Sequence, residues 1–493
     1  MLGRTRVLSS QQAAEPVALR TKIFFGLGAS ADNAISWIFN VLGFFYYQQF
    51  LGLPGSMAGT AVAIAIFFDA ISDPIVGSIS DRFRSKYGRR HPFMFAAPIP
   101  LAMCIFLIFN PPEAIVASET TLFFWFLTFT VVMRAFQTIF AIPVLAMGAE
   151  LSEDYIERSK IMSFESLFGL YGYVFMHLVA MILIFGMMFE EQGGRMYEPA
   201  YTPVVLVCSV FVMVTAFLCA WGTRDQIPKL KERETESEPA SVKKLFGDIY
   251  SVLQNSNYRA LLFGIFFLAI TAGTHETLGI YMATFFWELT SYQLGLLIIG
   301  HIIGTHVGFF IAPKFHRRYD KRWTIFWAAL FFAVFWSTAS TLGLLGLGPE
   351  KGTWWAVLFI GGIGVFTVST GVVLTISVMS ALADIADEHE LITGQRQAGI
   401  FYSARSLFSK ATNAFGHIVA GFAIEHYIKL PPNSQMGEVA DDVVFRLAII
   451  DGPFAMFWGI VAAFVYAGYK IDKQRHAEIR TELDQRAKTA STA

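Results

Sequence analysis

The feature that most constrains this chain is a recurrence of apolar runs, each about twenty residues or longer, divided by short polar stretches. Runs near 23–49, 58–80, 92–110, 121–148, 161–188 and 203–221 are followed by a polar segment around 229–238. Six more then come near 259–288, 292–312, 323–346, 353–383, 398–427 and 447–470. A helix rises about 1.5 Å per residue, so roughly twenty residues cover the ~30 Å hydrocarbon layer of a bilayer. Only helices and closed barrels satisfy their backbone in lipid, and these runs are too long for barrel strands. The sequence therefore predicts an all-α membrane protein with twelve transmembrane helices and the lipid bilayer as its main solvent. Composition agrees, since 55% of the 493 residues are hydrophobic and only 15% charged, against about a quarter charged in soluble domains.

The polar segment divides the chain into an N-terminal six-helix bundle (1–222), a cytoplasmic linker (223–257), a C-terminal six-helix bundle (258–471) and a cytoplasmic tail (472–493). Lysine and arginine crowd into alternate loops, while the intervening loops hold only Arg195, Lys351, Lys429 and Arg446. The positive-inside rule then places both termini and the linker in the cytoplasm of a multi-pass cell-membrane protein. Basic residues sit between apolar runs rather than along one face, which argues against nucleic-acid binding. Cys104, Cys208 and Cys219 lie in apolar stretches without paired spacing, so neither a disulfide framework nor a metal site is expected. The first apolar run is too long for a signal peptide and is expected to remain as the first span.

The two halves echo one another. Asp81-Arg82 and Gly88-Arg89-Arg90 follow the second run, and Arg317-Arg318-Tyr319-Asp320-Lys321-Arg322 follow the eighth. Glu165-Ser166-Leu167-Phe168 in the fifth run pairs with Arg405-Ser406-Leu407-Phe408 in the eleventh. Six-span repeats related by an axis along the membrane normal are the arrangement of the major facilitator fold, with a binding site near mid-bilayer between the halves.

A charge at the centre of a spanning helix costs about 2.5–3.5 kcal/mol on insertion scales, so each needs a partner, a wet cavity or a task. Asp32 falls in run one, Asp69 and Asp73 in run two, His275 and Glu276 in run seven, and Lys410 in run eleven. Asp69 and Asp73 are four apart, on one helical face. Counting from the nearest helix ends brings this pair, Asp32 and Lys410 to comparable depths, about 12–20 Å into the bilayer. Their convergence would make a cation site in which H+ or Na+ neutralises the pair and Lys410 competes from within. The alternative for any single acid is a helix-packing role. His275 and Glu276 are adjacent, about 100° apart around the helix, and cannot easily share one ligand. Both are candidates for solute contact, as is Trp37, which could stack on a ring. The turn formed by Asp81, Arg82, Gly88, Arg89 and Arg90 is a candidate gate, whose salt bridges could lock one access state.

The segment Asp69-Ala70-Ile71-Ser72-Asp73-Pro74-Ile75-Val76-Gly77, continuing through Arg84-Ser85-Lys86-Tyr87-Gly88-Arg89-Arg90-His91-Pro92-Phe93, resembles the second-span signature of the glycoside-pentoside-hexuronide:cation symporter family, the melibiose-permease-like branch of the major facilitator superfamily. Similarity extends to Gly28 through Asp32 and to Tyr402-Ser403 with Lys410. The resemblance implies that Asp69 and Asp73 bind the cation with Thr138 nearby, that Asp32 serves the sugar, and that Lys410 is coupled to the cation site. Two departures stand out. Ala141-Ile142-Pro143 lacks the aspartate that the family's sodium-coupled sugar porters place before Ile-Pro, and Glu165-Ser166 occupy the region of the family's basic residue in span five. Loss of that aspartate would weaken Na+ more than H+, which favours proton coupling.

The expectation is thus a monomeric symporter, not an enzyme, that carries a sugar or glycoside with H+ or Na+ by alternating access and needs no cofactor. A carrier of lysolipid or another amphiphile with the same fold, and a non-transporting membrane sensor, are the rivals. No Walker loop, H-E-x-x-H or G-x-S-x-G occurs to supply an enzyme's nucleophile or metal.

Overall fold

The computed structural model describes residues 16–152, 154–232, 253–394 and 398–492, and among these it is helical with no strand. Helix α1 runs Leu19–Trp37 and continues through a π-helical stretch, Ile38–Gly43, into Phe44–Gln49. There follow α2 (Gly55–Arg82), α3 (His91–Ile108), α4 (Glu119–Glu150), α5 (Ile156–Met188) and α6 (Tyr201–Gly222). The second half holds α7 (Ser256–Phe286), α8 (Ser291–Arg318), α9 (Lys321–Leu344), α10 (Trp354–Thr393), α11 (Ala398–Phe422, continued by Ala423–Ile428) and α12 (Asp441–Tyr466). Ten of these are long and apolar enough to cross a membrane. The other two, α1 and α11, carry Asp32 and Lys410, as suits helices that face an interior crevice rather than lipid.

Packing repeats between the halves. In the first half α1 packs on α5 and α6, α4 on α2 and α3, and α3 on α6. In the second half α7 packs on α11 and α12, α10 on α8 and α9, and α9 on α12. The π-helical stretches recur too, at Ile38–Gly43 and Met282–Phe286 in the first helix of each half and at Leu178–Met188 and Ala423–Ile428 in the fifth. Pairs α2–α11 and α5–α8 join the halves, a reciprocal arrangement that a two-fold relation between six-helix units produces.

The end of the molecule that carries the basic turns can be called the basic end. At the opposite end one apolar core unites both halves, taking in Tyr46 and Tyr47 with Tyr281, Phe285, Ile424 and Leu447. Toward the basic end the second half has a separate core around Tyr258, Leu382, Phe401 and Tyr466. Polar bridges between the halves follow the same division. Tyr281 Oη donates to Gln48 Oε1 at 2.9 Å, the Asn433 amide to the Gln49 carbonyl at 2.7 Å, and the Ser56 amide to Glu425 Oε2 at 2.9 Å. Arg195, in the turn before α6, is 2% exposed and donates to Thr284 Oγ1 at 2.9 Å and to the Leu289 carbonyl at 2.6 Å. Burial pushes its guanidinium down to about 10, which still leaves it charged at neutral pH. The halves are closed on each other at the opposite end, and among the described residues no ion pair bridges them at the basic end.

Two expectations near the basic end change. The segment 384–397 was expected as a loop, yet α10 continues to Thr393 and stops where Gly394 takes a left-handed conformation, φ +73°. Asp384 and His389 are buried in this extension, which is why hydropathy alone ends the span early. The tail expected only to be charged forms a further helix, α13 (Lys473–Thr492), against α10. Its own Ile479 is fully buried, and its Arg480 reaches Asp387. Most of the expected linker, 233–252, lies outside the described residues.

Candidate functional site

Asp69 and Asp73 lie on successive turns of α2, with Pro74 directly after them. Proline lacks an amide hydrogen, so it frees the Ala70 carbonyl from the helix ladder at this depth. Pro143 does the same for Ile139 in the facing helix α4. From α4, Thr138 points its hydroxyl at both acids, 2.8 Å from Asp69 Oδ1 and 3.1 Å from Asp73 Oδ1, and one hydrogen can serve only one of them at a time. Ser72 Oγ stands 3.4 Å from the same hydroxyl. From the other half, Lys410 Nζ reaches Asp69 Oδ2 at 2.9 Å and also bonds Asp73 Oδ2. Of the four charges expected to converge, Asp69, Asp73 and Lys410 meet here, joined by Thr138, on α2, α4 and α11.

Two carboxylates and one ammonium leave one negative charge uncompensated. The side chains are 15% (Asp69), 24% (Asp73) and 31% (Lys410) exposed, so the cluster opens to a crevice and is not sealed. The ammonium sits between the acids, where an incoming cation would also have to sit. Lys410 belongs to the other half, so its contacts with both acids bridge the two bundles. Close packing holds α2 against α11 beyond the cluster: a Cβ on Gly59 would lie 2.7 Å from the His417 carbonyl and 3.3 Å from Gly421 Cα.

Asp32 is a neighbour of this cluster rather than a member. Its Oδ1 accepts from Gln137 Nε2 at 2.7 Å, and Gln137 precedes Thr138 in α4. It also borders a cavity of about 130 Å³ together with Asn33, Ala141 and Glu165, room for about four waters at ~30 Å³ each. Glu165 of α5 lines the same cavity beside Ala141, so a carboxyl group stands near Asp32 although the position before Ile142-Pro143 lacks one. A larger depression, about 650 Å³, lies at the opposite end around Tyr46, Phe109, Glu113 and Glu198, among helix ends and turns and away from Asp32, Asp69 and Asp73.

His275 and Glu276 part company, as their angular separation demands. Glu276 side chain is 38% exposed although it lies deep in α7, and His417 Nε2 of α11 is 4.0 Å from it, so it lines the crevice. His275 turns into its own half. Nδ1 contacts Asp451 Oδ1 at 2.7 Å, Nε2 contacts Ser337 Oγ at 3.2 Å, and the ring stacks on Trp336 at 4.9 Å. With both nitrogens engaged and 4% exposure, the ring has no free face for a solute in this conformation. Trp37 is likewise fully buried, its Nε1 donating to His177 Nδ1 at 3.1 Å between α1 and α5.

The turn after α2 is a brace within the first half. Arg90, 4% exposed, contacts Asp81 Oδ1 at 2.7 Å, Glu150 Oε1 at 2.6 Å and Ser80 Oγ at 3.0 Å. Arg89 joins the same Glu150 oxygen at 2.8 Å. Gly88 takes φ +76°, which permits the turn, and Arg82 is exposed. The second half repeats the device with Lys321 at 2.7 Å from Asp384, which also accepts from Tyr469 Oη at 3.0 Å. Sequence reasoning found the basic turns and missed their acids, Glu150 and Asp384, although each stands at the same end of the fourth helix of its half. It also missed Gln137, Arg134 and Asp451. The last two are charges inside expected spans and carried the same signal as Asp32.

Comparison with known proteins places the chain in a family. The model of the MFS/sugar transport protein family matches residues 24–473, and the chain belongs to that family. It is 23% identical to the symporter sll1374 of Synechocystis sp. over 97% of this chain and 99% of that one. It is 22% identical to the lactose permease of Leuconostoc lactis over 90% of this chain and 69% of that one. A solved bacterial homologue of the human drug peptide transporters PepT1 and PepT2 superposes with a TM-score of 0.63 at 14% identity, covering 94% of this chain and 99% of the other. That likeness concerns the fold, which is the major facilitator fold.

Proposed function

We propose that the chain is a secondary active symporter that carries a sugar or glycoside together with a cation by alternating access. Membership of a sugar-transport family and similarity to proteins named symporter and lactose permease support transport and the solute class. The observation that carries the coupling is the Asp69–Asp73–Thr138–Lys410 cluster, in which an internal ammonium from one half occupies a cation position built by the other. When the coupling cation displaces Lys410, the α2–α11 bridge is released and the halves can rock. Asp32, oriented by Gln137, and Glu276 across the crevice offer acceptors for sugar hydroxyls. With the basic end in the cytoplasm, as positive-inside counting places it, the described conformation opens inward.

The coupling ion proposed is H+ in preference to Na+. The position before Ile142-Pro143 is Ala141, so no carboxylate from that site joins Asp69 and Asp73 to help hold a bare cation. A proton requires one carboxylate. The protein is expected to work as a monomer in the cell membrane. Uptake into proteoliposomes under an imposed pH gradient, inside alkaline, should exceed uptake under an imposed Na+ gradient; stimulation by sodium alone would refute proton coupling.

A further inference from the structure

Among the described residues Arg134 is a charge with no counter-ion in contact. It lies midway along the 32-residue helix α4, about 23 Å from either end at ~1.5 Å per residue. Among the described residues its one hydrogen-bond acceptor is Gln137 Oε1, 3.2 Å from Nη1, and its Nε is buried without a partner. Its remaining neighbour is the ring of Phe39 in α1, 5.1 Å from the guanidinium carbon. Asp32 and His417 lie within its electrostatic reach but make no contact with it. Lys410 contacts two acids, Asp32 accepts from Gln137, and Glu276 lies beside His417.

Gln137 explains why Arg134 and Asp32 stay apart. Its amide nitrogen donates to Asp32 and its oxygen accepts from Arg134, so one side chain spaces an acceptor from a fork of donors along α4. Guanidinium groups bind carboxylates through two parallel hydrogen bonds, and a guanidinium held at mid-membrane on an aromatic face with most of its donors unused is a preformed half of that pair.

We propose that Arg134 binds an anionic group of the solute, and that the preferred solute is an acidic sugar derivative whose hydroxyls reach Asp32 while its carboxylate reaches Arg134. This rests on the sugar-symport reading. The buried Phe39 ring packs against the guanidinium, and Gln137 sets the distance between the two recognition points.

The test is ligand-induced thermal stabilisation of the purified full chain, titrated with 4-nitrophenyl β-D-glucuronide and β-D-galacturonide against the matched neutral glucoside and galactoside. Within at least one matched pair the acid should bind about tenfold or more tightly than the neutral sugar. Arg134→Ala should bring that ratio to within about twofold, and Arg134→Lys, which keeps the charge and loses the fork, should retain part of it. Should Arg134→Ala not fold, Arg134→Gln gives the same comparison. Equal or tighter binding of the neutral sugars, or a preference that survives Arg134→Ala, overturns the proposal and leaves sugar symport standing. Binding of none of the four sugars overturns the sugar reading and this proposal with it.

Discussion

Asp73→Asn isolates the charge arithmetic of the site. The cluster now carries two carboxylates and one ammonium, a net single negative charge that attracts one further cation. Asparagine keeps the shape and can still accept from Lys410 and Thr138, but the net charge becomes zero. One unit charge about 4 Å from a bound cation at an effective dielectric of about 20 is worth ~4 kcal/mol, or roughly a thousandfold in cation affinity. Because Asp73 makes no contact with Asp32, Gln137 or Glu276, exchange of solute down its own gradient should persist. In proteoliposomes Asp73→Asn should lose accumulation against a gradient and keep counterflow of preloaded solute. Accumulation within threefold of the wild type would refute the assignment of Asp73 to the coupling site. Loss of counterflow as well would show that the acid serves solute binding instead.

The contacts between and within the halves give further tests. Arg195→Ala removes hydrogen bonds from a buried guanidinium to α7 and to the turn after it, each worth about 1.5–3 kcal/mol before the relief of burial. The opposite end should open, and spin labels at residues 51 and 433 should show a longer distance population; an unchanged distribution would refute a latch role. Gly59→Val would press against the His417 carbonyl and Gly421. It should shift the same labels outward or lower the thermal midpoint by an overpacking cost of about 1–3 kcal/mol, and wild-type behaviour in both would contradict the close α2–α11 contact. Glu150→Gln removes the carboxylate shared by Arg89 and the buried Arg90. Glu150 is 24% exposed, so the loss is discounted for solvent screening to about 1–2 kcal/mol. The thermal midpoint should fall by a few degrees; no change would show that Asp81 alone holds the turn.

What was legible in the sequence follows from the range of each signal. Apolar runs report the lipid directly, and their places agree with the helices to within about six residues, except where α10 outruns its apolar stretch by ten because Asp384 is buried against Lys321 and Tyr469. Asp69 and Asp73 were legible because both belong to one helical face and their repulsion needs no knowledge of the rest of the fold. Lys410 could be set beside them by depth. Gln137, Arg134 and Glu165 were not assigned roles, since their meaning depends on which face of α4 or α5 meets α1, and one polar residue in an apolar run carries no period. Glu150 and Asp384 find their partners about 60 residues away, across turns whose direction is set only in three dimensions. His275 shows the reverse error: an intramembrane histidine invited a solute role, while Asp451, some 176 residues further along the chain, holds it inside its own half.

The central claim is that one cation exchanges with Lys410 at Asp69 and Asp73 each time a solute crosses. Cation flux driven by a solute gradient tests it directly, with proteoliposomes carrying internal pH and Na+ indicators and no imposed ion gradient. The wild type should acidify the lumen as sugar enters, with one proton per sugar. Asp69→Asn and Asp73→Asn should move no cation. Sugar entry through the wild type without movement of either ion would contradict the account.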